Sequence, residues 1–181
     1  MKVHEYQARQ LLADAGVPVP PAMVVESAQE ARRAYARLAS REGASRCVIK
    51  AQVHVGGRGK GGGVQMVNSE DEAYEAARRI LTQPLVTPQT TAAGVKVRRL
   101  MIAAAVDVAE EYYIALAVDR AHSRPVIIAS SEGGQEIEEV AKHKPEAIIQ
   151  QHLHPHLPLQ PYQARNIAYR LGFKGRQVRM A

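Results

Sequence analysis

Six of the chain's 13 glycines lie between Gly56 and Gly63, and what flanks them limits the fold more than any other feature. Upstream, RCVIKAQV is β-branched and largely apolar, the pattern of a buried strand. Downstream, VQMV reads as a second short strand. A glycine loop that returns into a strand is a hairpin, and that context excludes two nucleotide-binding arrangements. Gly57, Gly59 and Gly62 satisfy G-x-G-x-x-G, but a dinucleotide fingerprint must open a helix. Lys60 is followed by Gly61 rather than Ser or Thr, so the loop is not a P-loop. Two readings remain: a flap that covers nucleotide phosphates beside a strand lysine, or a mobile surface loop with solvated charges. In the first, Lys50 at the end of VIK is that lysine, while Arg58 and the loop amides face phosphate oxygens. His54, in the same stretch, reads either as a phosphate contact or as a structural hydrogen-bond partner.

The rest of the chain alternates helices and strands. HEYQARQLLADA (4–15) places Tyr6, Leu11, Leu12 and Ala15 on one helical stripe, stopped by Gly16. MVVE (23–26) is a strand. Ser27 with Glu30, and Ser69 with Glu72, are S-x-x-E capping boxes that open helices over 27–39 and 69–81. After QPLVTPQTTAAG (83–94) come three strand-like runs, 95–106, 111–119 and 124–131. Helices are expected over 135–144, 144–150 and 161–172. The mixture predicts an α/β (α+β) fold with a central sheet. The composition change near 83–94 predicts a hinge between lobes at 1–90 and 95–181.

Composition narrows the function classes. With 4% aromatic residues and no Trp, a base-stacking platform is not expected. The lone Cys47, inside CVI, reads as a small buried hydrophobe rather than a catalytic thiol. MKVHEYQARQLL has no apolar signal core, and no apolar run reaches membrane-spanning length, so the expected location is cytoplasmic and no membrane partner is expected. The net charge of +6 invites a nucleic-acid reading. Five of those charges, however, are Arg165, Arg170, Lys174, Arg176 and Arg179 in a tail free of acids, which argues against a designed nucleic-acid surface. That tail is either a basic arm or the edge of a longer chain. His152, His154 and His156 form H-x-H-x-H, but Pro155 and the lack of a carboxylate in the segment favour a polar surface loop over a metal site. Ser130, Ser131, Gly133 and Gly134 lack G-x-S-x-G and read as a tight turn. No residue is assigned a catalytic role.

HEYQARQLLADAGVPVP, VIKAQVHVGGRGKGGGV, VDVAEEYYIALAVDR and SSEGGQEIEEVA resemble, in order and spacing, the β subunit of succinate–CoA ligase (succinyl-CoA synthetase). The malate–CoA ligase β subunit is a close relative. The resemblance runs from residue 1 to about 175 and covers less than half of that family's length. It implies the N-terminal portion of an ATP-grasp domain, two small sheet-and-helix lobes that clamp ATP or GTP with Mg2+. It also implies an α-subunit partner whose histidine is phosphorylated, and an ADP-forming reaction of succinate with CoA. Positions that match nucleotide contacts are Lys50 on the α/β-phosphates, Gly57, Arg58 and Gly59 in the flap, Val106 at the hinge, and Glu111 near the ribose and base. Pro20 matches an apolar position near the purine, which favours ATP.

Two departures carry expectations. The family glutamate expected at Ala103 or Ala104 is missing from IAAAVD, which weakens base recognition and supports an alternative reading, a truncated non-catalytic paralogue acting as an interaction module. The family's magnesium ligands and CoA-ligase domain lie beyond this chain. The late acids Glu132, Glu136, Glu138, Glu139 and Glu146 fall in a turn and helices, so no residue is assigned to metal and no turnover is expected from this chain alone. Apolar surface left uncovered predicts self-association.

Overall fold

The computed structural model describes residues 2–134 and 137–180. They fall into two compact units, Met1–Asp107 and Val108–Ala181. The first contains α1 (Glu5–Asp14), β1 (Ala22–Val25), α2 (Ala28–Glu42), β2 (Cys47–Ala51), β3 (Val64–Val67), α3 (Glu70–Thr82) and β4 (Leu100–Ala104). Its sheet is antiparallel throughout, in the order β1-β4-β2-β3.

One face of that sheet makes the larger core. Side chains alternate along a strand, so Cys47, Ile49 and Ala51 of β2 point to the same side and are buried. They meet Ala31, Ala34 and Leu38 of α2 and Ala73, Ala77 and Ile80 of α3. Lys50 therefore points to the opposite face. Cys47 is fully buried, and burial pushes its thiol pKa up, in keeping with a structural role.

Both capping boxes form in part as the sequence predicts. Ser27 Oγ accepts from Glu30 N (3.2 Å), and Ser69 Oγ accepts from Glu72 N (3.1 Å). The glutamates reach back one residue further than the motif requires, to the amides of Glu26 and Asn68. α1 departs from its expected stripe. None of its residues is buried, and Leu11 and Leu12 are exposed. Polar contacts fasten it instead: Tyr6 N donates to the buried Gln52 side chain, and Arg9 to the carbonyl of Pro20.

The expected hinge at 83–94 is not where the units part. Leu85 and Val95 pair as an isolated bridge, Leu85 and Val97 are buried in the first core, and the segment between them stays within that unit. For the same reason the run 95–106 forms a regular strand only from Leu100 to Ala104.

The second unit holds β5 (Tyr113–Asp119), β6 (Arg124–Ser130), α4 (Ile137–His143), a 3-10 turn at Pro145–Ala147, β7 (Ile149–His152), α5 (Pro161–Arg170) and α6 (Arg176–Met180). Its antiparallel sheet runs β5-β6-β7 over a small core of Ile127, Ala129, Ile149 and Ile167. The helix expected over 144–150 is replaced by that 3-10 turn and β7. Proline starts the turn, while Ile149 pairs with Ala129 of β6. His152 consequently ends a strand and parts from His154 and His156. Of the late acids, Glu136 lies outside the described residues.

Candidate functional site

The glycine loop joins β2 to β3, and most of its glycines are explained by protein packing. A Cβ on Gly57 would stand 2.8 Å from Pro88, and one on Gly63 2.9 Å from Leu85. One on Gly61 would collide with the Val86 carbonyl. Gly57 also has φ +70, a region that favours glycine. Gly56 N donates to Gln89 Oε1 at 2.7 Å. The loop is thus fastened along the 85–89 segment, which removes the mobile-loop reading for its base. The return arm is internally bonded, from Gly61 N to Gly57 O (3.1 Å) and from Gly63 N to Arg58 O (2.8 Å).

The tip differs. No Cβ on Gly59 would meet any atom within 4 Å. The amides of Gly57, Arg58 and Gly59 donate to no protein group among the described residues. Successive amides left without a protein acceptor are donors that can serve anion oxygens.

Cations stand beside this tip. Lys50 Nζ lies 2.9 Å from Glu5 Oε1, and Arg58 Nη2 lies 2.8 Å from Glu5 Oε2. Arg58 Nη1 also donates to the Ala51 carbonyl at 2.8 Å, which fixes the guanidinium against the end of β2. Burial alone pushes the Glu5 carboxyl up, but the hydrogen bonds and charges of Lys50 and Arg58 outweigh it and hold it below the ordinary carboxylate range. Glu5 is held where it is by α1, whose first turn is tied down through Tyr6 N to Gln52 Oε1 (3.1 Å). Gln52 in turn donates to the Lys50 carbonyl. Sequence reasoning singled out Lys50 and Arg58 but missed Glu5 and Gln52. The signal for both was there: one charged residue at a helix start, and one amide at the end of a strand-like apolar run, just past β2.

His54 stacks on His4, with ring centroids 3.9 Å apart, a ring contact in place of the structural hydrogen bond expected from the sequence. Burial, followed by the charges of His54, Arg99 and Arg58, lowers the His4 pKa. Pro20 lines an apolar cavity of about 630 Å3 together with Tyr6, Val24 and Met101.

Lys50, Gly57, Arg58 and Gly59 are brought together in the first unit. Val106 follows the end of β4 with its side chain exposed. Glu111 belongs to the second unit, where its carbonyl accepts from Gly133 N (3.1 Å) and Gly134, with φ +69, packs against its carboxylate. Glu111 lines a polar cavity of about 880 Å3 with Glu110, Ser131, Lys174 and Gln177. Ser130 is buried, and its hydroxyl accepts from Glu132 N at 3.1 Å, which makes it part of a turn rather than a nucleophile.

The chain is similar to several known proteins. The β subunit of ADP-forming succinate–CoA ligase from Chloroherpeton thalassium is 45% identical over 181 residues, covering all of this chain and 46% of that protein. The corresponding subunit from Persephonella marina is 48% identical over 175 residues, 95% of this chain and 43% of its own. The β subunit of a GDP-forming succinate–CoA ligase from Thermus thermophilus is 45% identical over 181 residues. The chain spans a little under half the length of these relatives. Among solved structures, a dinucleotide-forming acetyl-coenzyme A synthetase of Ca. Korarchaeum cryptofilum overlays with a TM-score of 0.61 at 21% identity, covering 96% of this chain and 70% of that one. Methanosaeta concilii ATP citrate lyase overlays at 0.56 and 17% identity, covering 93% and 40%. These two share the fold. The ATP-grasp domain family matches residues 2–181, so the chain, with its paired antiparallel-sheet units and its glycine loop beside a strand lysine, belongs to the ATP-grasp domain family.

Proposed function

We propose that this chain is the nucleotide-gripping N-terminal portion of the β subunit of an ADP-forming succinate–CoA ligase, which acts with an α subunit. The carrying observation is the loop tip, where three amides, Gly57 to Gly59, have no protein acceptor among the described residues and stand with Arg58, which shares Glu5 with Lys50. ATP-grasp ligases use ATP and Mg2+ in general. The donors here fit a phosphate chain: amides at the tip of the flap, a guanidinium for two oxygens, and an ammonium as a point charge. Lys50 and Arg58 bind and orient the phosphates, and the flap shields them from water. Glu5 is paired with both cations, so no metal ligand is assigned among these side chains. The apolar cavity at Pro20 supports a purine site in the same unit, and Val106 and Glu111 are proposed contacts to the rest of the nucleotide. The similarity to ADP-forming and GDP-forming enzymes alike keeps the base as a matter for titration.

The test is calorimetric titration of the chain with ATP–Mg2+ and with GTP–Mg2+. Binding is expected, weakened about tenfold or more by Lys50→Ala and by Arg58→Ala, as expected for charge-assisted contacts to phosphate. A folded chain that binds neither nucleotide, or variants that bind as well as the parent, would overturn the assignment.

A further inference from the structure

Among the described residues, one group of metal-ligating side chains converges away from the glycine loop: Asp119, His122 and His152, with ligand atoms all within 4.8 Å of one another. Three places in the second unit contribute. Asp119 ends β5, His122 sits in the β5–β6 turn, and His152 ends β7, 33 residues from Asp119. The aspartate is fixed by its own turn, with Oδ1 accepting from Ala121 N (2.9 Å) and His122 N (3.1 Å). Its other oxygen, Oδ2, meets His122 Nδ1 and His152 Nε2, both at 2.8 Å. His152 is held from the other side, since its carbonyl accepts from Gln163 of α5.

The geometry points to a divalent-cation site of the zinc class at Asp119, His122 and His152. Two imidazoles and one carboxylate are the donor set of an open zinc centre, with the fourth position left to water. The absence of a thiolate argues against softer ions, and the two nitrogens argue against magnesium and calcium, which prefer all-oxygen shells. His122 is half exposed, so an ion can enter and a water can stay. Zinc–ligand bonds of about 2.0–2.1 Å at a tetrahedral angle put neighbouring ligand atoms about 3.3 Å apart. The two contacts to Asp119 need to open by about half an ångström and the two rings to draw together, a side-chain adjustment. Without an ion, the same three groups satisfy one another by hydrogen bonds from the ring nitrogens to the carboxylate. Zinc takes the place of those hydrogen bonds, each neutral ring then carrying its one proton on its other nitrogen, and ties the β5–β6 turn to the end of β7. His154 and His156 stand apart from this group. The amide of His156 donates to His154 Nδ1 (3.2 Å), which occupies that nitrogen.

The test uses the full chain, stripped with chelator and titrated with Zn2+ against a chromophoric competitor, and with Co2+ followed by absorption. One equivalent is expected, with a tetrahedral Co2+ spectrum and a rise in the midpoint of the thermal transition that belongs to residues 108–181. His122→Ala, on an exposed turn, should weaken Zn2+ binding about tenfold or more and abolish the rise, and His152→Ala should do the same. The double variant His154→Ala/His156→Ala should bind as the parent does. No bound equivalent, binding indifferent to His122→Ala, or binding lost in the His154/His156 variant would each overturn the site. Should His152→Ala fail to fold, His122→Ala alone decides.

Discussion

At the scale of single residues, Glu5 is the group on which the loop's charge balance turns. One carboxylate holds two cations from different parts of the hairpin, at 2.9 and 2.8 Å. Its folded pKa is depressed, so its contribution is complete above the ordinary carboxyl value of about 4.3 and is lost as pH falls through the lower folded value. Glu5→Gln is expected to cost about 1–2 kcal/mol at neutral pH and progressively less as pH falls below the ordinary carboxyl range. Urea unfolding at several pH values checks this, and parallel curves for parent and variant would contradict it. The glycines make a second contrast. Gly57→Ala should cost about 1 kcal/mol or more, because φ is +70 and Pro88 is 2.8 Å from the new atom. Gly59→Ala, with open space and no positive φ, should change stability by less than about 0.5 kcal/mol. Both are read by chemical denaturation.

At the scale of elements, helix starts were the most legible parts of the sequence. Ser27 and Ser69 cap as the S-x-x-E pattern says, because the signal is local and the hydroxyl needs only its own N3 amide. Ser27→Ala should lower stability by about 1 kcal/mol, measured as a shifted denaturation midpoint with an unchanged slope. β2 was legible too, since a β-branched run fits few alternatives. Strand pairing was not. AIIQ reads equally as helix or strand, and what makes it β7 is Ala129 across the sheet, a partner twenty residues away in sequence that no local pattern reveals. The apolar stripe of α1 misled for the opposite reason: periodicity reports a face, not whether anything covers it. At the site, Lys50 and Arg58 were readable from the flap context, whereas Glu5 joins them from 45 and 53 residues away. The packing role of Gly57, Gly61 and Gly63 was hidden because it depends on the 85–89 segment, which was read as a hinge.

At the scale of the whole molecule, the two units differ in how well they are closed. The first has a core of buried residues from two helices and a four-stranded sheet, and the second has a few buried side chains beneath three strands. On β5, which is an edge strand, Ile114, Leu116 and Val118 share one face and are 69%, 70% and 72% exposed. Such a row on an edge strand favours contact with another copy. Sedimentation should show association rising with concentration and falling in Leu116→Lys, and a monomer at all concentrations would contradict this. Separate cores have a thermodynamic consequence. Heating should give two calorimetric transitions, the lower one belonging to residues 108–181, and no single melting temperature describes the chain. Those transitions then become a ruler for the ligand. A nucleotide gripped only by Lys50 and Arg58 raises the upper transition alone, whereas one that also engages Glu111 raises both. The partition of the heat thus reports which unit does the holding.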